Sequence, residues 1–86
     1  MNWHERLRDR LASPENGLPY QMAVAREGHP LSSGRQVYAL ADVLGVDPGD
    51  LMVDLRKQCA DEQSVQETVK QLVAAVESRL ELPPAS

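Results

Sequence analysis

Phenylalanine is absent from the 86-residue chain, which holds one Trp, two Tyr and a single Cys. Any core must therefore be built from Leu, Val, Ala and Met. That argues against a sandwich or barrel, whose strands are rich in aromatic and β-branched residues, and for an all-helical chain. The lone Cys59 cannot close an intrachain disulfide. With only His4 and His29 beside it, it cannot complete a four-ligand metal site either, so no metal and no other cofactor is expected. Long apolar runs are missing as well. The longest, Val37 to Ala41 and Leu72 to Val76, fall far short of the roughly 18 residues a membrane span needs. The opening Asn2-Trp3-His4-Glu5-Arg6 is charged where a secretory signal would be apolar. These absences predict a cytoplasmic chain with no membrane partner, and a mass of 9.5 kDa leaves room for one small domain.

Positive charge is also scarce, with 9 Lys and Arg against 13 Asp and Glu, a net charge of −4. The deficit lies wholly in the second half. Residues 1–45 carry five arginines (6, 8, 10, 26 and 35) and five acids, whereas residues 46–86 carry four bases and eight acids. A surface that meets a polyanion must lie in the first half, where every base is the guanidinium that forks onto phosphate and guanine.

Periodicity and caps divide the chain into four or five helices. Asn2 is a candidate N-cap with Glu5 as its capping-box partner, and Trp3, Leu7 and Leu11 form one stripe of a helix ending near Ala12. After the turn Ser13-Pro14-Glu15-Asn16-Gly17, a short helix carries Leu18, Met22 and Ala25 on its expected inner face and stops at Gly28. A capping box of Ser33 and Gln36 opens the next, whose stripe is Val37, Leu40, Ala41 and Leu44 and whose stop is Gly45. Asp47 and Pro48 start a fourth helix with Leu51, Met52, Leu55 and Cys59 on one face. Ser64 and Glu67 form a third box, leading into Val65, Val69, Leu72, Val73, Val76 and Leu80 before Pro83-Pro84. This division gives a core at residues 1–60 and a C-terminal amphipathic helix with its tail at 61–86, within the same domain. The last stripe either packs on its own domain or, through Val65, Val69, Leu72, Val76 and Leu80, forms a homodimer seam.

Catalytic chemistry finds no foothold. His4 and His29 lack a partner pattern, and Cys59 sits on an apolar face, where it reads as a small core residue. Asp47, Asp50 and Asp54 have the spacing of helix capping rather than of a calcium loop. No enzyme and no small-molecule substrate are expected. Binding chemistry gathers instead at Gly28-His29-Pro30-Leu31-Ser32-Ser33-Gly34-Arg35-Gln36. There a turn of small residues leads into a helix start, with open N–H groups for phosphate and side chains suited to base edges.

The run Pro30 to Met52, with its Pro-Leu-Ser-Ser turn, Leu40-Ala41-x-x-Leu44-Gly45-Val46 and Asp47-Pro48-Gly49-Asp50-Leu51, resembles the closing helices of the phage-repressor and Cro (XRE-type) helix-turn-helix family. Arg6-Leu7-Arg8-Asp9-Arg10-Leu11 is similar to that family's first helix, and together the likeness covers about residues 3 to 55. The resemblance implies a repressor-like helix-turn-helix fold and double-stranded DNA as partner. It departs from the family between Ala12 and Glu27, where 16 residues replace about 20, and the family's Gln-x-x-x-Ala signature survives only at Gln21 and Ala25.

Three registers stay open. In the family-like one, Ser32, Ser33 and Arg35 clamp the DNA backbone beside the reading helix. In the second, the helix over 18–27 supports and the helix over 32–44 reads. In the third, Gln36 to Leu55 is the motif, which would point Asp47, Asp50 and Asp54 at phosphates. The DNA contacts expected are Arg6, Arg10, Gln21, Arg26, His29, Ser32, Ser33, Arg35 and Gln36. Function is then expected to be that of a small, sequence-specific, dimeric transcriptional regulator. The alternative is a protein-binding adaptor, a helix-turn-helix relic whose acidic half docks a regulator.

Overall fold

Asn2 starts the chain's first helix by accepting from the backbone N–H groups of His4 at 3.0 Å and Glu5 at 3.2 Å. In the computed structural model, which describes residues 2–29 and 31–80, that helix is α1 (Trp3–Leu11). A 3₁₀ turn (Pro14–Gly17), α2 (Leu18–Glu27), α3 (Ser33–Leu44), α4 (Pro48–Gln58) and α5 (Glu62–Arg79) follow, with no strand among the described residues. The fold is all-α.

The caps explain most boundaries. Gly45 adopts φ +73°, the left-handed conformation that glycine takes without strain, and Val46 N–H returns to the Ala41 carbonyl at 3.0 Å to close α3. Asp47 accepts from Gly49 N–H at 2.8 Å, and Pro48 fills the first position of α4, where no N–H is needed. Two starts differ from the expected capping boxes. Helix α3 takes Ser32 as its N-cap, with no side-chain bond to the first turn, so the Ser33 and Gln36 box does not form. Helix α5 begins at Glu62 because Asp61 accepts from Ser64 N–H at 2.8 Å. That bond holds the Asp61 carboxyl below its ordinary pKa, and it leaves Ser64 inside the helix.

Helix α3 is the hub, packing against α1, α2, α4 and α5. Ala39, Leu40, Ala41, Val43 and Leu44 are buried there among Trp3, Leu7, Leu11, Leu51 and Leu55. From α5, Val65, Val69, Leu72, Val73 and Val76 complete the same core, so that helix belongs to one packed unit with the rest. Trp3 Nε1 donates to Asp54 Oδ2 at 2.6 Å and ties α1 to α4. Among the described residues no helix is long and apolar enough to cross a membrane.

The dimer seam read from the α5 stripe is corrected by this packing. Val65, Val69, Leu72 and Val76 are interior to the chain that carries them, and Leu80 is half-buried over Gly17, so the stripe is not an open face. The inner face of α2 is corrected too. Tyr20 is buried, with Ala23 and Val24 half-buried beside it, while Leu18, Met22 and Ala25 face outward. Tyr20 prevails because a ring buries more apolar area than a Leu or Met can.

Candidate docking face on α2 and α3

The nine expected contact residues separate into four groups. Arg6 and Arg10 turn inward: Arg10 Nε donates to the Val43 carbonyl at 2.9 Å, and Arg6 Nη2 to the Leu44 carbonyl at 3.5 Å. Both carbonyls lie in the last turn of α3, which has no further intrahelical donors and draws cations through its dipole. These two arginines are helix caps, which corrects their reading as phosphate contacts.

His29 is also turned inward. Its Nδ1 lies 3.0 Å from Glu77 Oε2, with only 13% of the side chain exposed, so it links the α2–α3 turn to α5. The two atoms are close enough for an ion pair but not aligned for a hydrogen bond. Gln36 is half-buried in a groove between α3, α4 and α5, with Val37, Met52, Val65 and Val69. Arg35, next in sequence, lines a different groove. A single step along the helix turns the two side chains about 100° apart, and the structure does not bring them together.

Gln21, Arg26, Ser32, Ser33 and Arg35 do remain exposed on α2 and the start of α3. Arg26 and Arg35 line one groove of about 290 Å³ with Glu27, Asp42, Pro19, Met22, Ala23, Tyr38 and Ala39. Arg35 Nε lies 3.0 Å from Glu27 Oε1, so one of these cations is matched by an acid on the neighbouring helix. The groove carries two cations and two anions, and its local charge is zero.

The residues missed by sequence reasoning are apolar. Met22 and Tyr38 are each 58% exposed and Leu18 is 50% exposed, although each is large. Leu18 lies one turn before Met22 on the same side of α2. Tyr38 carried a legible signal: it falls with Arg35 and Asp42 at i, i+3, i+7, off the inner stripe of α3. Leu18 and Met22 carried none, because their spacing fits an inward face as well as an outward one.

The registers also narrow. Five of the last six residues of α3 are buried, so the second half of that helix presents only Asp42 outward. Helix α4 opens with Asp47 and Asp50, both exposed. Helix α2, preceded by a single 3₁₀ turn where a supporting helix would stand, keeps an outward face at i, i+3, i+4, i+7 and i+8: Leu18, Gln21, Met22, Ala25 and Arg26. Among the described residues no group of three or more acids, histidines and cysteines could hold a metal ion. Comparison of the chain with protein-family models, with curated proteins and with solved structures finds no match in any of the three.

Proposed function

We propose that the chain is a protein-interaction adaptor working in the cytoplasm, and that its docking surface is the α2–α3 face. The observation that carries this reading is the exposure of Leu18, Met22 and Tyr38 beside a groove of zero net charge. A polyanion is bound by releasing counterions, which needs cations that the protein does not already neutralise. Here Arg6 and Arg10 are turned inward onto the end of α3, Arg35 pairs with Glu27, and Asp42 lines the same groove as Arg26. Protein interfaces have another composition, with Met, Tyr and Arg enriched and charges of both signs at the rim. The acidic half, expected as the docking side of an adaptor, exposes only Val53 among the large apolar residues described there.

One observation favours the second reading, a DNA-binding regulator of repressor type. The first turn of α3 has no side-chain cap; the exposed Ser32 and Ser33 lie at it, and Arg26 shares a groove with Arg35. Such a helix start accepts a phosphate. A displayed library of amphipathic helical peptides, panned against the protein, separates the readings. The adaptor reading expects enriched peptides that bind the wild type and lose binding on Met22→Lys, with a random duplex DNA pool not retained at low salt. Retention of duplexes that is lost on Arg26→Ala, with no peptide enriched, overturns it in favour of the regulator.

A further inference from the structure

The outward edge of α3 reads Arg35, Tyr38, Asp42: a cation, an aromatic ring and an anion at i, i+3, i+7, all exposed. At a rise of about 1.5 Å per residue, the two charges lie about 4.5 and 6 Å along the helix on either side of Tyr38. This pattern is antisymmetric about the ring. The facing edge of α2 has a centre too, since Leu18 and Arg26 lie one turn before and one turn after Met22. Met22 and Tyr38 line the same groove, whose floor includes the small residues Ala23 and Ala39.

We infer that the partner for which this face is shaped is a second copy of the chain, docked about a two-fold axis that lies in the interface and runs across the face over Met22 and Tyr38. The inference rests on the reading of the face as a protein-docking surface and names its occupant. A two-fold interface must be complementary to itself, each residue meeting the image of another. An axis crossing α3 at Tyr38 runs the two α3 helices antiparallel. It sets Arg35 of each copy against Asp42 of the other and brings the two Tyr38 rings together. The same rotation lays the aliphatic stem of Arg26 over Leu18 of the other copy, and places Met22 on Met22. Charges and apolar groups are both matched by this one operation. The Arg35–Glu27 pair within each chain is compatible with it, because a guanidinium has donors enough for two carboxylates.

The face is two helices wide and, over the 12 residues of α3, about 18 Å long. Stable interfaces bury about 800 Å² on each partner, so this one belongs at the small end of its class and the dimer is expected to dissociate in the micromolar range.

Sedimentation equilibrium across micromolar to millimolar protein tests the assignment, with charge reversals as its internal control. The wild type is expected to dimerise. Arg35→Asp and Asp42→Arg, each alone, set like charges against each other twice per dimer and should raise the dissociation constant at least tenfold. An equimolar mixture of the two variants restores both pairs and should form a heterodimer near wild-type affinity. Both substitutions are at exposed positions, and helical circular dichroism with a cooperative melt checks that each variant is folded.

A wild type that stays monomeric at millimolar concentration overturns the assignment. So does a dimer that survives both single reversals, or a mixture of folded variants that stays monomeric. If self-association fails while peptides selected against the face still lose binding on Met22→Lys, only the second copy is wrong as occupant. If both fail, the docking reading falls with it.

Discussion

Arg10 on α1 donates its Nε–H to the carbonyl of Val43 in the last turn of α3 at 2.9 Å. The same guanidinium lies over Gly45, where an added Cβ would stand 3.3 Å from Nη2. A first-half cation that sequence reasoning assigned to phosphate thus closes the end of the helix at the centre of the core. Arg10→Ala should cost about 1.5–3 kcal/mol, the range for a hydrogen bond that involves a charged group. Arg10→Lys should recover only part of this, since an ammonium lacks the planar fork. Urea unfolding followed by circular dichroism measures both. A variant as stable as the wild type would show that the bond contributes nothing.

The same site shows what the sequence could and could not convey. Asn2, Gly45 and the Asp47-Pro48 pair act through their own backbone neighbourhood, so their roles were legible from residue type and spacing. The outer ends of Arg6 and Arg10 depend on where α1 lies relative to the end of α3, a distance of more than 30 residues along the chain. A local pattern gives an arginine its charge but not its acceptor. Helix α2 was ambiguous for another reason: in ten residues the stripes Leu18, Met22, Ala25 and Tyr20, Ala23, Val24 are both helical, and only packing against α3 decides between them.

Leu72 is fully buried on α5, within the core that α1 and α3 share. Leu72→Asp should therefore unfold the chain rather than convert a dimer into a folded monomer, because an unpaired carboxylate in an apolar interior has no partner. Leu72→Ala should cost about 2–5 kcal/mol through lost burial and the cavity left behind. Thermal melting monitored at 222 nm distinguishes the cases. A folded, monomeric Leu72→Asp protein would return α5 to the role of an interface.

The single Trp gives a local optical probe. Trp3 Nε1 donates to Asp54 Oδ2 at 2.6 Å, and Gln58 Nε2 donates to the same oxygen at 2.6 Å. Asp54→Ala removes the acceptor of a ring that is 6% exposed and should cost about 1–3 kcal/mol. The Trp3 emission maximum should move in the same variant, as the indole N–H loses a carboxylate and gains water. Gln58→Ala should leave the emission nearly unchanged, because Gln58 touches the carboxylate and not the ring. Identical spectra in wild type and Asp54→Ala would mean the bond is not held in solution.

Tyr20 sets the alkaline limit of the fold. Its side chain is buried on α2, and its pKa is pushed up to about 12, first by desolvation and then by the negative charge of Glu77, the residue that also faces His29. The unfolded chain releases the same proton near pH 10. A group whose folded pKa is raised contributes stability in full below the unfolded value and loses it as pH climbs through the folded one. The native state is therefore expected to lose about 2–3 kcal/mol between pH 10 and pH 12 from this residue alone, at about 1.36 kcal/mol for each pH unit. Tyr20→Phe keeps the ring and removes the hydroxyl, so its stability should decline less over that window. Glu77→Gln should begin its decline at the same pH as the wild type but lose less and level off at lower pH, because without the neighbouring charge the folded pKa lies closer to the unfolded one. Urea midpoints at half-unit steps from pH 9 to pH 12 resolve the three proteins, and identical slopes for wild type and Tyr20→Phe would place the alkaline transition elsewhere in the fold.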